Sequence, residues 1–359
     1  MRLGSILSEA WRNYTSGTAK PMLFTALFIA GVGSLLWLET RGILDVYESS
    51  AQFHQSGAST LVVELPGGVD PEKCEALSEL GGVAASGAAR LGEPVAMRAL
   101  PSAEISVFDV TPGFLAVVEA RTFGSGGVFL SDDTLGRYGL APGDELTTTA
   151  GRVPVAGSFA YPDDGRSAKL GTAILAEVPA GGTFDECWIR LSGTYVSAAS
   201  PVLAGTPIAA ALVADTSRVV RQLNSTLGED LPTVERFDAR LSAWAPAAAA
   251  AIGTGLILAG GARRRLELAT ARQLNIQIGS LALMLIIEAA CLLIVPVVFL
   301  MSALVLLVTT AETPPDMSSF LIARGAAIVA MGAAGCVVGS VAATAFARPQ
   351  YLYRYFQRR

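Results

Sequence analysis

The sequence predicts an α-helical membrane protein with four transmembrane helices in a 1 + 3 arrangement. An α+β extracytoplasmic domain is expected between the first helix and the other three. Three observations predict this. Mean hydropathy is +0.49 over 359 residues, high for a water-soluble chain. The apolar excess is concentrated in one stretch near the N-terminus and three in the last third. The basic residues beside those stretches fall on alternating sides, as the positive-inside bias requires.

Residues 1–20 come first. Leu3, Ile6, Leu7, Ala10 and Trp11 share one face at helical spacing, which predicts an amphipathic helix along the inner membrane surface. A frayed cytoplasmic terminus is the alternative. Pro21–Leu38 follows as the apolar core of a first span over residues 21–40, since about 20 apolar residues cross a bilayer core. About 20 residues precede it, and no small-x-small site follows before Glu39-Thr40-Arg41. It therefore reads as an anchor and not as a signal peptide.

Residues 41–244 form the extracytoplasmic domain. Two strand–helix–strand halves, 58–118 and 183–240, are expected to flank a small β insertion over 119–182. In the first half, Ser59–Leu65 reads as a strand, Pro71–Leu80 as a helix capped by Asp70, and Gly82–Arg90 and Val95–Leu100 as strands. In the second, Cys187–Leu191 reads as a strand, Thr216–Leu227 as a helix and Pro232–Phe237 as a strand. The Gly- and Pro-rich middle carries short strands at Gly127–Leu130, Glu145–Thr149, Val153–Phe159 and Thr172–Ala176.

Spans two to four are expected at 245–262, 276–309 and 320–347. A cytoplasmic coupling segment at 263–275 and an external loop at 310–319 separate them, and a tail follows at 348–359. The third span covers about 34 residues, about 50 Å as helix, so Pro296 should kink it or one end should project. Arg2, Arg12 and Lys20, then Arg263, Arg264, Arg265 and Arg272, then Arg348, Arg354, Arg358 and Arg359 place both termini and the 263–275 segment in the cytoplasm. The net charge of −5 argues against a nucleic-acid partner.

Four cysteines are present. Cys291 and Cys336 lie in spans. Cys74 and Cys187 lie in the external domain, where oxidation is permitted, and are expected to pair as a disulfide. Two unrelated buried thiols are the alternative. Gly335-x-x-x-Gly339 allows close helix approach, either within the chain or to a second copy. Glu288 sits inside span three, where an ionisable group is costly and a functional candidate by default. A structural hydrogen bond to a neighbouring helix or to the coupling segment is favoured over a role in substrate or proton movement.

Arg263–Asn275 carries the sharpest pattern: helix-forming composition, an apolar stripe at Leu266, Ala269/Thr270 and Leu274, and more residues than a bare turn needs. Arginines that only anchor span two are the bland alternative. Arg264-Arg265-Leu266-Glu267-Leu268-Ala269-Thr270-Ala271-Arg272-Gln273-Leu274 resembles the segment after span two in the MacB/FtsX-like (type VII) ABC permeases, four-span proteins with a large extracytoplasmic domain. Asn275 stands where that family usually has Gly. The run Val128–Asp144, with its Gly-Asp turn, and Val153-Pro-Val-Ala-Gly157 are similar to the same family's external domain.

The resemblance implies that Arg264, Arg265, Glu267, Leu268, Arg272 and Leu274 form a coupling helix against a separate cytoplasmic ABC ATPase. That partner would hold the ATP and Mg, with no cofactor in this chain. It also implies a homodimer or paralogous heterodimer in a bacterial plasma membrane, surrounded by lipid, with export or mechanotransmission as the function. An FtsX-type regulator of an extracytoplasmic cell-wall hydrolase is the alternative, and a receptor or structural protein without an ATPase is a third.

The three lysines, Lys20, Lys73 and Lys169, lie in no G-x-x-x-x-G-K-[ST] motif, so ATP hydrolysis is expected from a partner. No catalytic residue or metal ligand is expected. His54, the only histidine, reads as solvent-exposed, and the pairs Asp132/Asp133 and Asp163/Asp164 read as solvated turns.

Overall fold

The computed structural model describes residues 20–98, 100–141, 143–149, 151–199, 219–311 and 313–347. The expected helix at 1–20 and the tail at 348–359 lie outside the described residues, apart from Lys20. The chain divides into two compact units: residues up to Val46 together with those from Val234 onward, and Tyr47–Thr233.

The first unit holds four helices long and apolar enough to cross a membrane. Helix α1 (Pro21–Gln55) begins here and ends in the second unit. The other three follow the sheet strands in chain order.

In the second unit β1 (Thr60–Val69) leads into α2 (Pro71–Glu75). The Asp70 side chain accepts from the backbone N–H groups of Glu72 and Lys73 at 3.1 and 3.3 Å, satisfying two donors that a helix start leaves open. A 3₁₀ turn (Ala76–Glu79) continues it. Next come β2 (Val83–Leu91), β3 (Val95–Met97), β4 (Leu100–Ile105) and β5 (Val107–Val110), α3 (Pro112–Val117), β6 (Arg121–Thr122) and β7 (Val128–Ser131). After α4 (Asp132–Tyr138) follow β8 (Glu145–Thr148), β9 (Gly151–Phe159), β10 (Ile174–Glu177), β11 (Phe184–Leu191) and β12 (Val219–Gln222).

The strands join in one path, β12-β1-β11-β2-β5-β10-β7-β9-β8-β3-β4, with β6 beside β9. Both faces are covered. In β1, Leu61 and Val63 enter one core with Phe53, Ile189 and Cys187, while Val62 enters the other with Phe114, Phe129 and Trp188. That period of two is the strand geometry itself.

Two expectations about this unit are corrected. Thr216–Leu227 is not a helix over its described part: Val219–Gln222 is a strand paired antiparallel to Leu61–Glu64. Its β-branched valines suit a pleated edge, and Arg221 reaches Glu64 at 2.7 Å. Pro232–Phe237 is not a strand. Thr233–Asp238 is a short helix, α5, with Pro232 just ahead of it, a position that does not require an amide proton. The second strand–helix–strand half therefore does not form among the described residues. The middle segment shares the sheet, because β10 pairs in parallel with β5 and antiparallel with β7.

In the membrane unit, a 3₁₀ turn (Leu241–Trp244) leads into α6 (Ala245–Arg263), followed by α7 (Arg265–Gln273), α8 (Ile278–Thr310) and α9 (Pro315–Phe346). Helix α8 is continuous through Pro296. Helix α9 starts five residues before its expected span, inside the expected external loop. The core is built by Phe28 and Val32 of α1, Leu292, Leu300 and Leu304 of α8, and Ile328 and Val329 of α9.

Candidate functional site

Two buried ion clusters and one glycine seam organise the membrane unit. The first cluster lies at the turn between α6 and α7. Arg264 occupies that turn, with its N–H donating to Gly261 O at 3.1 Å. Its Nη1 donates to both carboxylate oxygens of Glu288, at 2.8 and 3.0 Å. Its Nε donates to Glu267 at 2.9 Å. Glu288 is 4% exposed, so its charge is held by one guanidinium and not by water. A planar fork with several donors can serve two carboxylates at once, which an ammonium cannot do in the same geometry. The intramembrane acid is thereby bonded to the segment that joins spans two and three.

Helix α7 is amphipathic and fixed at both ends. Leu268 and Ala269 are buried, and Leu268 packs with Leu285 of α8 and Ala343 of α9. Arg272 donates to Ala347 O at 2.5 Å. The helix ends with Asn275 at φ +60°. The Asn275 N–H donates to Arg272 O and the Ile276 N–H to Ala271 O, a Schellman arrangement in which Asn replaces the usual Gly. Arg265, Glu267 and Leu274 are exposed, Leu274 at 78%. Leu268 faces inward and seats the helix.

The seam joins α6 and α9 within the chain. A Cβ on Gly335 would stand 2.1 Å from Ala250 O, and one on Gly253 would stand 2.1 Å from Gly332 O. Gly339 is less tightly placed, with Thr254 O at 2.8 Å. Thr254 also donates to Gly335 O at 3.0 Å. Gly335 and Gly339 thus make close approaches to α6 within the chain.

Sequence reasoning missed the second cluster. Glu39 of α1, 1% exposed, accepts from Arg324 of α9 at 2.9 Å and from Arg240 at 3.3 Å. The Arg240 guanidinium lies 3.5 Å from the Phe237 ring centroid, and Phe237 meets Phe320. An acid at the end of one span and a base near the start of another were the available signals.

In the sheet unit, Cys74 and Cys187 form a disulfide across 113 positions. His54 differs from its expected exposure: it is half-buried, with Nδ1 2.8 Å from Ser59 Oγ. Asp132 is paired with Arg121 and Asp164 with Arg166. The hydrogen bond from Arg166 is the main reason that the Asp164 carboxyl lies below the usual carboxylate range. No group of three or more metal-binding side chains occurs among the described residues.

No family model and no curated protein matches the sequence. Solved structures similar to part of it include the following three. The periplasmic region of MacB from Actinobacillus actinomycetemcomitans is 9% identical, over 47% of this chain and 91% of that one, with a TM-score of 0.33. A domain of a permease protein from Porphyromonas gingivalis is 13% identical, over 51% and 98%, with a TM-score of 0.34. The extracellular domain of the noncanonic ABC-type transporter YknZ from Gram-positive bacteria is 14% identical, over 46% and 100%, with a TM-score of 0.28.

Proposed function

We propose that this chain is the membrane subunit of a MacB/FtsX-like ABC system, and that α7 receives the movement of a separate cytoplasmic ATPase. The observation that carries the reading is the way α7 is held. Arg264 ties its start to Glu288 in α8, and Arg272 ties its end to the last residue described after α9. A push on the exposed side, at Arg265, Glu267 and Leu274, therefore reaches two spans through short polar contacts and the buried Leu268. A bare loop between spans would have absorbed it. The seam at Gly335 and Gly253 passes the same displacement to α6.

Two such subunits would pair around two ATPase copies, and the output would be movement of the Tyr47–Thr233 unit rather than passage through each subunit. The resemblance supports this in kind, as does a charge distribution that favours 263–275 on the cytoplasmic side. Control of an extracytoplasmic hydrolase is the alternative to export.

The test is affinity purification of the full-length chain from its own membranes, with ATP hydrolysis measured on the eluate. A P-loop ATPase should accompany the wild type. The double substitution Arg265→Glu with Leu274→Asp should remove it, while the chain keeps its disulfide and its unfolding midpoint. Undiminished co-purification and ATPase activity in that variant would sink the assignment of α7 as the coupling element.

A further inference from the structure

A cavity of about 390 Å³ opens beside the Arg264 cluster, between α1, α6, α7 and α8. Its wall is apolar: Leu23, Phe24, Leu256, Ile257 and Leu292 line it. Its rim carries Lys20, Arg263 and Arg264 against Glu267 and Glu288. The two carboxylates both bond Arg264, which leaves the rim with one net positive charge. Among the described residues, neither Lys20 nor Arg263 has an ion-pair partner. The side open to the surroundings is bordered by Leu23 and Leu27, 45% and 47% exposed, and by Ala259 and Gly260. This is a largely apolar slot with two cations, Lys20 and Arg263, that have no ion-pair partner among the described residues, at the end of helices long enough to span a bilayer.

We propose that this cavity binds one monoanionic phospholipid of the cytoplasmic leaflet. The lipid phosphate would lie between Lys20 and Arg263, and one acyl chain would enter against Leu256 and Leu292. The slot is too small to enclose a two-chain lipid, so the second chain would run along the exposed Leu23 and Leu27. The sign of the rim selects the ligand. An anionic headgroup gains charge-assisted hydrogen bonds from two cations that otherwise face a low-dielectric boundary. A zwitterionic lipid brings its own cation to the same place. Because Arg264 and Glu267 belong to the rim, the lipid would brace the turn from which α7 departs. The inference rests on the membrane placement proposed above, but not on the ATPase.

The test uses the purified, delipidated full-length chain in detergent, offered equal amounts of phosphatidylglycerol and phosphatidylcholine, with retained lipid read by native mass spectrometry. No ATPase is present, so failure here is separate from failure of the coupling reading. The wild type should retain one phosphatidylglycerol, preferred on the order of tenfold. Lys20→Gln with Arg263→Gln should abolish the preference, while Arg265→Gln should keep it. A second variant leaves the charges alone. A Cβ at Gly260 meets nothing within 4 Å, so Gly260→Leu should fill the slot and exclude the lipid without lowering the unfolding midpoint. Equal retention of both lipids, or a preference that survives either variant, would overturn the proposal. So would a tenfold gain in phosphatidylglycerol on deleting residues 1–19, which would make that segment the occupant.

Discussion

Glu39 is the residue on which the end of the membrane unit opposite α7 depends. Its carboxylate is the shared partner of Arg240 and Arg324, and the Arg240 side chain is only 7% exposed. A buried ion whose partner is removed keeps its desolvation penalty and loses its compensation, at a cost of about 3 kcal/mol. Glu39→Gln should therefore lower the unfolding free energy of the chain in micelles by that order, read as a lower denaturant midpoint. Glu39→Gln combined with Arg240→Gln should recover part of the loss, because the stranded cation is gone too. Additive effects in that double-mutant cycle would show that the pair contributes nothing specific. No sequence pattern announces this cluster. Arg240 and Arg324 stand 201 and 285 positions from Glu39, and only the packing of α1 against α9 and the segment ahead of α6 brings them together. Glu288 was legible because an acid inside an apolar span is conspicuous by itself, whereas Glu39 sat at a span end, where acids are ordinary.

At the scale of elements, what could be read were features whose cause is local. The Asp70 cap, the Asn275 helix end and the four long apolar helices each follow from a few adjacent residues. Val219–Gln222 did not, because the same residues satisfy a helical spacing and become a strand only when the edge of β1 is open beside them. The α7 element can be tested without knowing its partner. Arg264→Lys keeps the positive charge but cannot bond Glu267 and Glu288 together. A lost hydrogen bond to a charged group shifts a local opening equilibrium by roughly tenfold. Amide exchange across Arg265–Gln273 should accordingly speed up by about that factor in Arg264→Lys and stay unchanged in Arg265→Lys. Equal exchange in wild type and Arg264→Lys would mean that Leu268 packing alone seats α7 and that Glu288 is no part of the joint.

At the scale of the molecule, the two units place opposite chemical demands on their surroundings. The Tyr47–Thr233 unit carries the Cys74–Cys187 disulfide, which persists on the oxidising side of a membrane. The other unit carries Arg263, Arg264, Arg265 and Arg272 around one short turn and helix, a density of arginine that the positive-inside bias favours on the cytoplasmic side. These are independent reasons to expect one orientation, and the arginine cluster is read from the sequence alone. An impermeant thiol reagent applied to intact cells tests it, in a chain whose Cys291 is replaced by Ser. Gly81 lies in an exposed turn with nothing within 4 Å of an added Cβ, so Gly81→Cys should label at once. Gln273→Cys, exposed at the end of α7, should label only after the membrane is opened. The reverse pattern would put α7 where no ATP is present, and neither the coupling helix nor a lipid of the inner leaflet could then explain the Arg264 cluster.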